Sequence, residues 1–489
     1  MPGAEPPLKI SIYATAGGVQ QLLATPESRR QAASAMKRLG ATRVILEGRR
    51  GAEYVAPDQL TEVSRALEGL GLASSGGIAT VPGTGFGVRQ EGGLAWLNWE
   101  ADETRDGVAR FFRENAGVFD ELVVDDFFCT GDTSKESDKW RAGRDWGQYR
   151  RDMLSGLIKP IMMEPARGVR PGIRMVIKFP QWYDRFHLFG YDPPRMASQF
   201  DRVWVGVEVR DPRTQRMGFV QPTQGYMNYR WLTSVIGSKV EAAWFDHIEC
   251  TAQNLVDQAW QAVLAGAREL VLFNLFDVVK GHPGHEYFIK SIPAMQDAAR
   301  RIQGKPVEGV AFYKPPNSDP GTDRFMMDYL GMLGIPIVPV AEYPSKSQTV
   351  ILGVQAAADP ALMTKVAAHL KAGAKIVMTE SLFELVAAPE GVERLDLRTF
   401  TEQDYLDTGE WLLPPKELPW LDLERAQADA LRRSLGVDLS APTRIAYYRI
   451  GGDDILYSFR DEDASILLNG RSIQVPAHSL VWSAPPAGR

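Results

Sequence analysis

The sequence predicts an α/β chain in which a (β/α)₈ barrel is followed by a small α/β domain and a short antiparallel β domain. Three observations carry that expectation. Short apolar or β-branched runs alternate with helical segments through roughly the first 300 residues. The alternation restarts after Arg301. The tail carries the hairpin turns Gly451-Gly452-Asp453 and Asn469-Gly470 between alternating apolar positions.

The strands of the first region are expected at Lys9–Ala14, Arg43–Glu47, Gly77–Val81, Leu122–Phe127, Arg174–Phe179, Arg202–Val209, Ala242–His247 and Leu270–Leu275. Helical periodicity marks Pro26–Leu39, Asp58–Leu70, Arg105–Ala116, Trp146–Ile161, Tyr226–Ile236 and Thr251–Ala265. Thr25 and Thr251 stand as N-caps, and Gly40 and Gly71 follow helix ends. Eight strands interleaved with helices match the count of a closed barrel. A doubly wound open sheet is the alternative. It lacks a phosphate loop after the first strand, and Gly83-Thr84-Gly85-Phe86-Gly87 leads into no helix with a P-loop lysine.

From Val307 the expected order is a strand at Gly309–Tyr313, a helix at Phe325–Leu333, and strands at Ile337–Ala341 and Thr349–Val354. A helix at Pro360–Lys371 and a strand at Lys375–Thr379 complete a parallel sheet of about four or five strands. A Trp-, Pro- and acid-rich stretch around Trp411 to Trp420 leads to a helix at Leu423–Leu435. Strands are then expected at Arg444–Ile450, Ile455–Phe459, Ala464–Leu468 and Ser479–Trp482. The domain expectation is therefore 1–305, 306–400 and 401–489.

Composition narrows the class. Of 489 residues, 44% are hydrophobic and 24% charged, the balance of a globular chain rather than a disordered one. The net charge of −6, from 55 basic and 61 acidic residues, and the lack of a long basic run argue against nucleic acid as the partner. No apolar run has the length of a bilayer span, so no membrane partner is expected. The polar, Pro-rich start from Met1 to Pro7 shows no secretion signal. With only Cys129 and Cys250, which exclude a disulfide framework, it points to the cytoplasm, a trimmed signal leaving export open.

Chemistry in such a barrel sits where the strands end. The fourth strand ends in Asp125-Asp126, the sixth runs into Glu208-Val209-Arg210-Asp211, and the seventh into Asp246-His247-Ile248-Glu249. The second ends in Glu47, the fifth carries Lys178 before Trp182 and Tyr183, and the eighth leads to Asn274. Carboxylates at the ends of apolar strands are costly unless paired or used. Acids from several strands at one rim, with aromatics and little histidine, suit glycoside hydrolysis, which needs one carboxyl to protonate the leaving oxygen and another to attack or activate water. Asp126 is the candidate acid/base, Asp125 its neighbour and alternative nucleophile, and Asp246, Glu208 and Glu249 the candidate partners. Trp182, Tyr183 and Trp244, with Trp96 and Trp99, are candidates to stack on sugar rings. Lys178, Arg210, Glu47 and Asn274 are candidates to bond hydroxyls.

Each of these residues also has a structural reading. Asp125 and Asp126 can cap a helix or pair with Arg, Glu208 can join an ion network, Glu249 fits a first helical turn, and tryptophans are commonly core. Two other classes follow: an inactive sugar-binding or assembly protein, and a metal-dependent hydrolase or isomerase built on His247, His282 and His285 with Glu286. The loop-like His282-Pro283-Gly284-His285 and a first strand without a His pair argue against the metal, so no cofactor and no metal are expected.

The order of barrel, small α/β module and short β domain resembles the three-domain bacterial β-galactosidases and related retaining glycosidases. That resemblance implies a flavodoxin- or amidotransferase-like middle module that is non-catalytic and helps build a homo-oligomer, a trimer or dimer. Neither cysteine lies within Gly309–Thr379, which excludes thiol amidotransferase chemistry there. It also implies an acid/base at the end of strand four and a nucleophile at the end of strand seven. Here Asp126 takes the first role, Asp125 stands where the group has Asn, and Asp246 or Glu249 takes the second. The α-galactosidase-like barrels are similar too, with a strand-four Asp nucleophile and a strand-six acid; Asp125-Asp126 and Glu208 to Asp211 fit that placement. Both imply a small carbohydrate as substrate.

Overall fold

The computed structural model describes residues 6–91, 96–210, 221–395 and 423–483. Eight parallel strands close on themselves: β1 (Lys9–Ala14), β2 (Arg43–Arg50), β3 (Ala73–Ala79), β4 (Glu121–Val124), β5 (Arg174–Phe179), β6 (Arg202–Gly206), β7 (Val240–Asp246) and β8 (Glu269–Phe273). Each pairs with the next, and β1 pairs with both β8 (Tyr13 opposite Phe273) and β2 (Tyr13 opposite Ile45). The barrel expectation holds. β1 and β5 have the predicted bounds, whereas β3 begins four residues earlier than expected. The cause is Gly76-Gly77, which reads as a turn in the sequence. A Cβ on Gly76 would collide with Phe119 and Leu122, and one on Gly77 would press on the Tyr13 hydroxyl at 2.8 Å. The glycines are strand residues that make room for large neighbours.

Alternate residues fill the barrel in layers. Tyr13, Ile45, Val123, Val176, Trp204, Ala242, Trp244 and Val271 form one buried cluster. Each large apolar side chain buried there contributes about 1.5–3 kcal/mol. Beneath it, Arg43 bridges Glu121 (2.5 Å) and Glu269 (2.8 Å), and Ser11 donates to Glu269. Acids at this floor are thus matched by arginine.

The helices expected from periodicity are present, among them Pro26–Arg38 with a Thr25–Ser28 capping box and Ala252–Leu264 capped by Thr251. The sequence reading did not include the helices Ala16–Leu22, Lys135–Arg141, Leu275–Lys280 and Gly284–Ile302. The described residues group into two compact units. One is the chain up to Glu208 with Ile236–Ile248 and Ala267–Asp297; the other is Val209–Val235, Glu249–Gly266 and the chain from Ala298.

The second unit contains a five-stranded parallel sheet in the order Ile337–Val340, Val310–Tyr313, Thr349–Leu352, Lys375–Thr379, Glu393–Leu395. It also contains an antiparallel sheet built on Ile445–Ile450, Asp453–Ser458 and Leu480–Ser483. The hairpin Ala464–Leu468 with Arg471–Val475 turns at Asn469-Gly470, as expected. Asp211 and the Trp411 to Trp420 stretch lie outside the described residues, and the helix expected from Leu423 begins at Arg425. Among the described residues no helix is long and apolar enough to cross a membrane.

Candidate active site

The C-terminal strand ends of the barrel converge on Lys178. This lysine lies on the inward-facing register of β5, and its side chain is 2% exposed. Its ammonium donates to Asp126 Oδ2 at 2.5 Å and to Glu208 Oε1 at 2.6 Å, and stands 3.5 Å from Asp125 Oδ1. It also lies over the Trp244 ring, 4.4 Å from its centre, a cation–π contact in a desolvated setting. Three carboxylates from the ends of β4 and β6 therefore share one cation.

Local structure delivers each of them. β4 stops at Val124, but the Asp125 N–H still bonds to Ile78 O at 2.9 Å, so Asp125 keeps the inward register. Its Oδ1 accepts the Asp126 N–H at 2.8 Å and turns the chain, which lifts Asp126 to the rim. The Tyr191 hydroxyl donates to the Asp126 carbonyl and fixes that turn. β6 stops at Gly206, after which the Val207 N–H bonds to Trp244 O at 2.7 Å and Glu208 points inward. A Cβ at Gly206 would collide with Glu208 Oε2 and crowd the backbone of Pro180 and Gln181 at 3.1 Å. Glycine is what leaves the carboxylate its place.

A second cation adjoins the first group. Arg50 forks onto Glu47 (Nε to Oε2 3.0 Å, Nη2 to Oε1 2.8 Å) and reaches Asp125 Oδ2 at 2.9 Å. Glu47 also accepts from the Tyr13 hydroxyl (2.7 Å) and the Ala16 N–H (2.8 Å). Its oxygens are thus saturated by protein donors, and it reaches the cluster through Arg50. In contrast, Glu208 Oε2 is buried and accepts no hydrogen bond from the described residues.

Among the described residues, four carboxylates against two cations leave an excess of negative charge in this cluster, and the protonation states separate accordingly. Burial pushes the Asp126 carboxyl up to about 7; Lys178 opposes the rise, while Asp125 and Glu208 add to it. Burial also disfavours the ionised form of Asp125, but Lys178 and Arg50 outweigh it and hold that carboxyl below its usual range. Burial raises Glu47 against the pull of Arg50. Asp126 is thus the group that carries a proton near neutrality beside an ionised neighbour.

The remaining candidates lie as follows. Trp244 is buried between Tyr13 (ring centres 4.6 Å apart) and Phe273 (5.3 Å, stacked). Half-buried Trp182 packs with Trp96, Phe189 and Tyr191, and Tyr183 is buried. Asp246, 2% exposed at the end of β7, accepts the Ile248 N–H at 3.0 Å. Asn274 caps the helix Leu275–Lys280 by accepting the Phe276 N–H at 2.9 Å. Arg210 and Glu249 fall in the second unit, Glu249 with a left-handed φ of 52°. Arg50, Tyr13 and Tyr191 belong to the cluster yet were not singled out from the sequence. For Arg50 a signal existed, since Glu47-Gly48-Arg49-Arg50 ends a strand with both charges; for Tyr191, in a loop after β5, there was none.

The histidines form their own chain. His247 Nδ1 lies 3.0 Å from Phe273 O, and its Nε2 lies 2.8 Å from His285 Nε2. The carbonyl assigns the proton to His247 Nδ1, so His247 Nε2 accepts from His285. Burial lowers His247 to about 3 and His285 to about 4, which keeps both neutral. Among the described residues no three His, Cys, Asp or Glu side chains are arranged to hold a metal ion.

Comparison with known proteins gives the following. Residues 3–287, more than half of the chain, match the family model described as "Probable glycosyl hydrolase, catalytic domain". Residues 306–406 match the model of the second domain of the uncharacterized protein SSO3021. That protein, from Saccharolobus solfataricus, is 21% identical over 362 residues, and the match covers 67% of this chain and 59% of the relative's length. The fold is similar to a cold-adapted β-galactosidase from Rahnella sp. R3 (TM-score 0.60, 11% identity, 97% of each chain). It is also similar to α-L-fucosidase isoenzyme 2 from Paenibacillus thiaminolyticus (TM-score 0.61, 11% identity, 98% of this chain and 99% of that one).

Proposed function

Because the chain belongs to the family of probable glycosyl hydrolase catalytic domains, we propose that it cleaves a small glycoside or oligosaccharide with Asp126 as acid/base and Glu208 as nucleophile. The observation that carries this reading is the single ammonium shared by the two carboxylates, one raised to about 7 and the other with an unbonded oxygen. Oxygens bonded to one nitrogen at 2.5 and 2.6 Å are at most about 5 Å apart, short of the roughly 6.5–9.5 Å that inversion requires, which favours retention of configuration.

In the first step Asp126 gives its proton to the glycosidic oxygen as Glu208 Oε2 attacks the anomeric carbon; the aglycone leaves and a glycosyl ester forms on Glu208. In the second, Asp126, now a carboxylate, takes a proton from water, which attacks the same carbon and releases Glu208. Lys178 stabilises the Asp126 carboxylate that appears after the first transfer, and it binds Glu208 by Oε1, leaving Oε2 to react. Asp125 acts as a positioning residue, held ionised by Arg50 and Lys178 and bonded to the Asp126 N–H. Asp246 supplies a further acid at the rim, half-buried Trp182 supplies an aromatic face, and the middle module serves assembly, while Trp244, covered by Tyr13, Phe273 and Lys178, packs beneath the site instead of stacking on a sugar. The test is a panel of nitrophenyl glycosides with wild type, Asp126→Asn and Glu208→Gln. Steady-state turnover of at least one glycoside that falls by about 10²–10⁴-fold or more in each variant, Asp126→Asn lacking the base of the second step, supports the assignment; equal rates in all three overturn it.

A further inference from the structure

The charge of the site limits what sugar can enter it. Among the described residues, Glu47, Asp125, Asp126 and Glu208 form their ion pairs with Arg50 and Lys178, so this cluster stays negative even with Asp126 protonated. The cations are also committed. The Lys178 ammonium donates to Asp126 and Glu208 and has Asp125 Oδ1 at 3.5 Å. Arg50 spends Nε and Nη2 on Glu47 and Asp125, which leaves Nη1 for a hydroxyl but no bidentate fork for a carboxylate. One acceptor, Glu208 Oε2, is buried without a donor. A ligand is therefore wanted for its donors, and a hydroxyl or ammonium supplies what a carboxylate cannot.

We propose that the sugar bound at this cluster is neutral or carries an amine, and that uronic and sialic acid residues are excluded. The inference rests on the reading that this cluster is the glycoside-cleaving site. A substrate carboxylate beside Glu208 would add a like charge in a desolvated setting, where the described cations of the cluster, Arg50 and Lys178, are already committed to carboxylates. An ammonium would relieve the excess. The expected order is amino sugar, then neutral sugar, then uronate.

The experiment uses full-length Asp126→Asn protein on an array of matched glycans: neutral, 2-amino-2-deoxy, uronic and sialylated. The expected result is retention of neutral and amino glycans, with the uronic counterpart weaker by on the order of a hundred-fold. Preference for the amine should fade as pH rises past the amine's own titration. Uronic or sialylated glycans bound as tightly as their neutral match, or no discrimination at all, overturn the proposal. Aryl glycosides of the same sugars, given to wild type, separate the two readings. Asp126-dependent turnover of a uronide overturns the charge class but leaves the hydrolase; the predicted binding order without turnover of any glycoside does the reverse.

Discussion

Replacing Lys178 with Met removes the one ammonium that three buried carboxylates share, while keeping most of the side-chain volume. Breaking a buried ion pair by deleting one partner costs about 3–5 kcal/mol when the remaining charge cannot escape. Here the charge can escape by protonation, so the cost must depend on pH. Without the lysine, burial is no longer outweighed at Asp125, whose folded-state pKa rises from below its unfolded value, and Asp126, already at about 7, is pushed higher still. Below the unfolded values, near 4, the groups are protonated in both states and the substitution costs little. As pH rises above that, Asp125, which the wild type keeps ionised, costs the variant about 1.4 kcal/mol per pH unit until its folded pKa is passed or ionisation is forced, whereas Asp126, protonated up to about 7 in the wild type as well, adds to the difference only above that. At about 2–4 °C per kcal/mol for a unit of this size, a 3–5 kcal/mol loss at pH 8 lowers the melting temperature by about 6–20 °C. Calorimetric melts of both proteins at pH 5 and pH 8 make the comparison. A loss at pH 8 that shrinks markedly at pH 5 is expected. An equal loss at both, or none at pH 8, refutes the shared-cation account.

Further outcomes follow from the same geometry. Gly206→Ala should lower kcat by about tenfold or more with a stability loss of about 1–3 kcal/mol, because the new Cβ displaces Glu208 Oε2 and presses on Pro180 and Gln181; kinetics beside denaturant melts check it. The rate profile kcat/KM against pH should fall on the alkaline side with a midpoint of about 7, because Asp126 must be protonated to act as the acid. A rate still rising through pH 8 contradicts that role. Tyr191→Phe removes one hydrogen bond to the Asp126 carbonyl and should reduce kcat several-fold at unchanged KM, with a stability cost of about 1 kcal/mol. Arg43→Met, at the barrel floor, should cost about 3 kcal/mol in stability, since Glu269 loses the Arg43 cation while Glu121 keeps Arg174 and Arg202.

Much of the barrel was legible because its strands are apolar on alternate, inward positions, and period two survives at their C-terminal ends. That is why Asp125, Lys178 and Glu208 could be placed at one rim from the sequence. What periodicity does not encode is partnership. Lys178 reads as a donor to hydroxyls, yet its ammonium is held by three carboxylates. Glu47 reads as a sugar ligand, yet Tyr13, Ala16 and Arg50 occupy both its oxygens. The choice among Asp246, Glu208 and Glu249 was open because each stands at or just past a strand end, and period two does not say which of them meets Asp126. The turn after Gly206, set by the Val207 bond to Trp244, is a tertiary contact without a local signature. Short helices such as Lys135–Arg141 escaped for a similar reason, since seven residues give too few periods to read.

The division of labour between Asp126 and Glu208 is tested most directly by the leaving-group dependence of Asp126→Asn. An aryl glycoside whose phenolate departs unaided needs no acid, whereas an alkyl glycoside does. The account predicts that the variant cleaves a dinitrophenyl glycoside within about tenfold of wild type at early times, but an alkyl glycoside about 10²–10⁴-fold more slowly. Equal impairment on both substrates, or none on either, contradicts it.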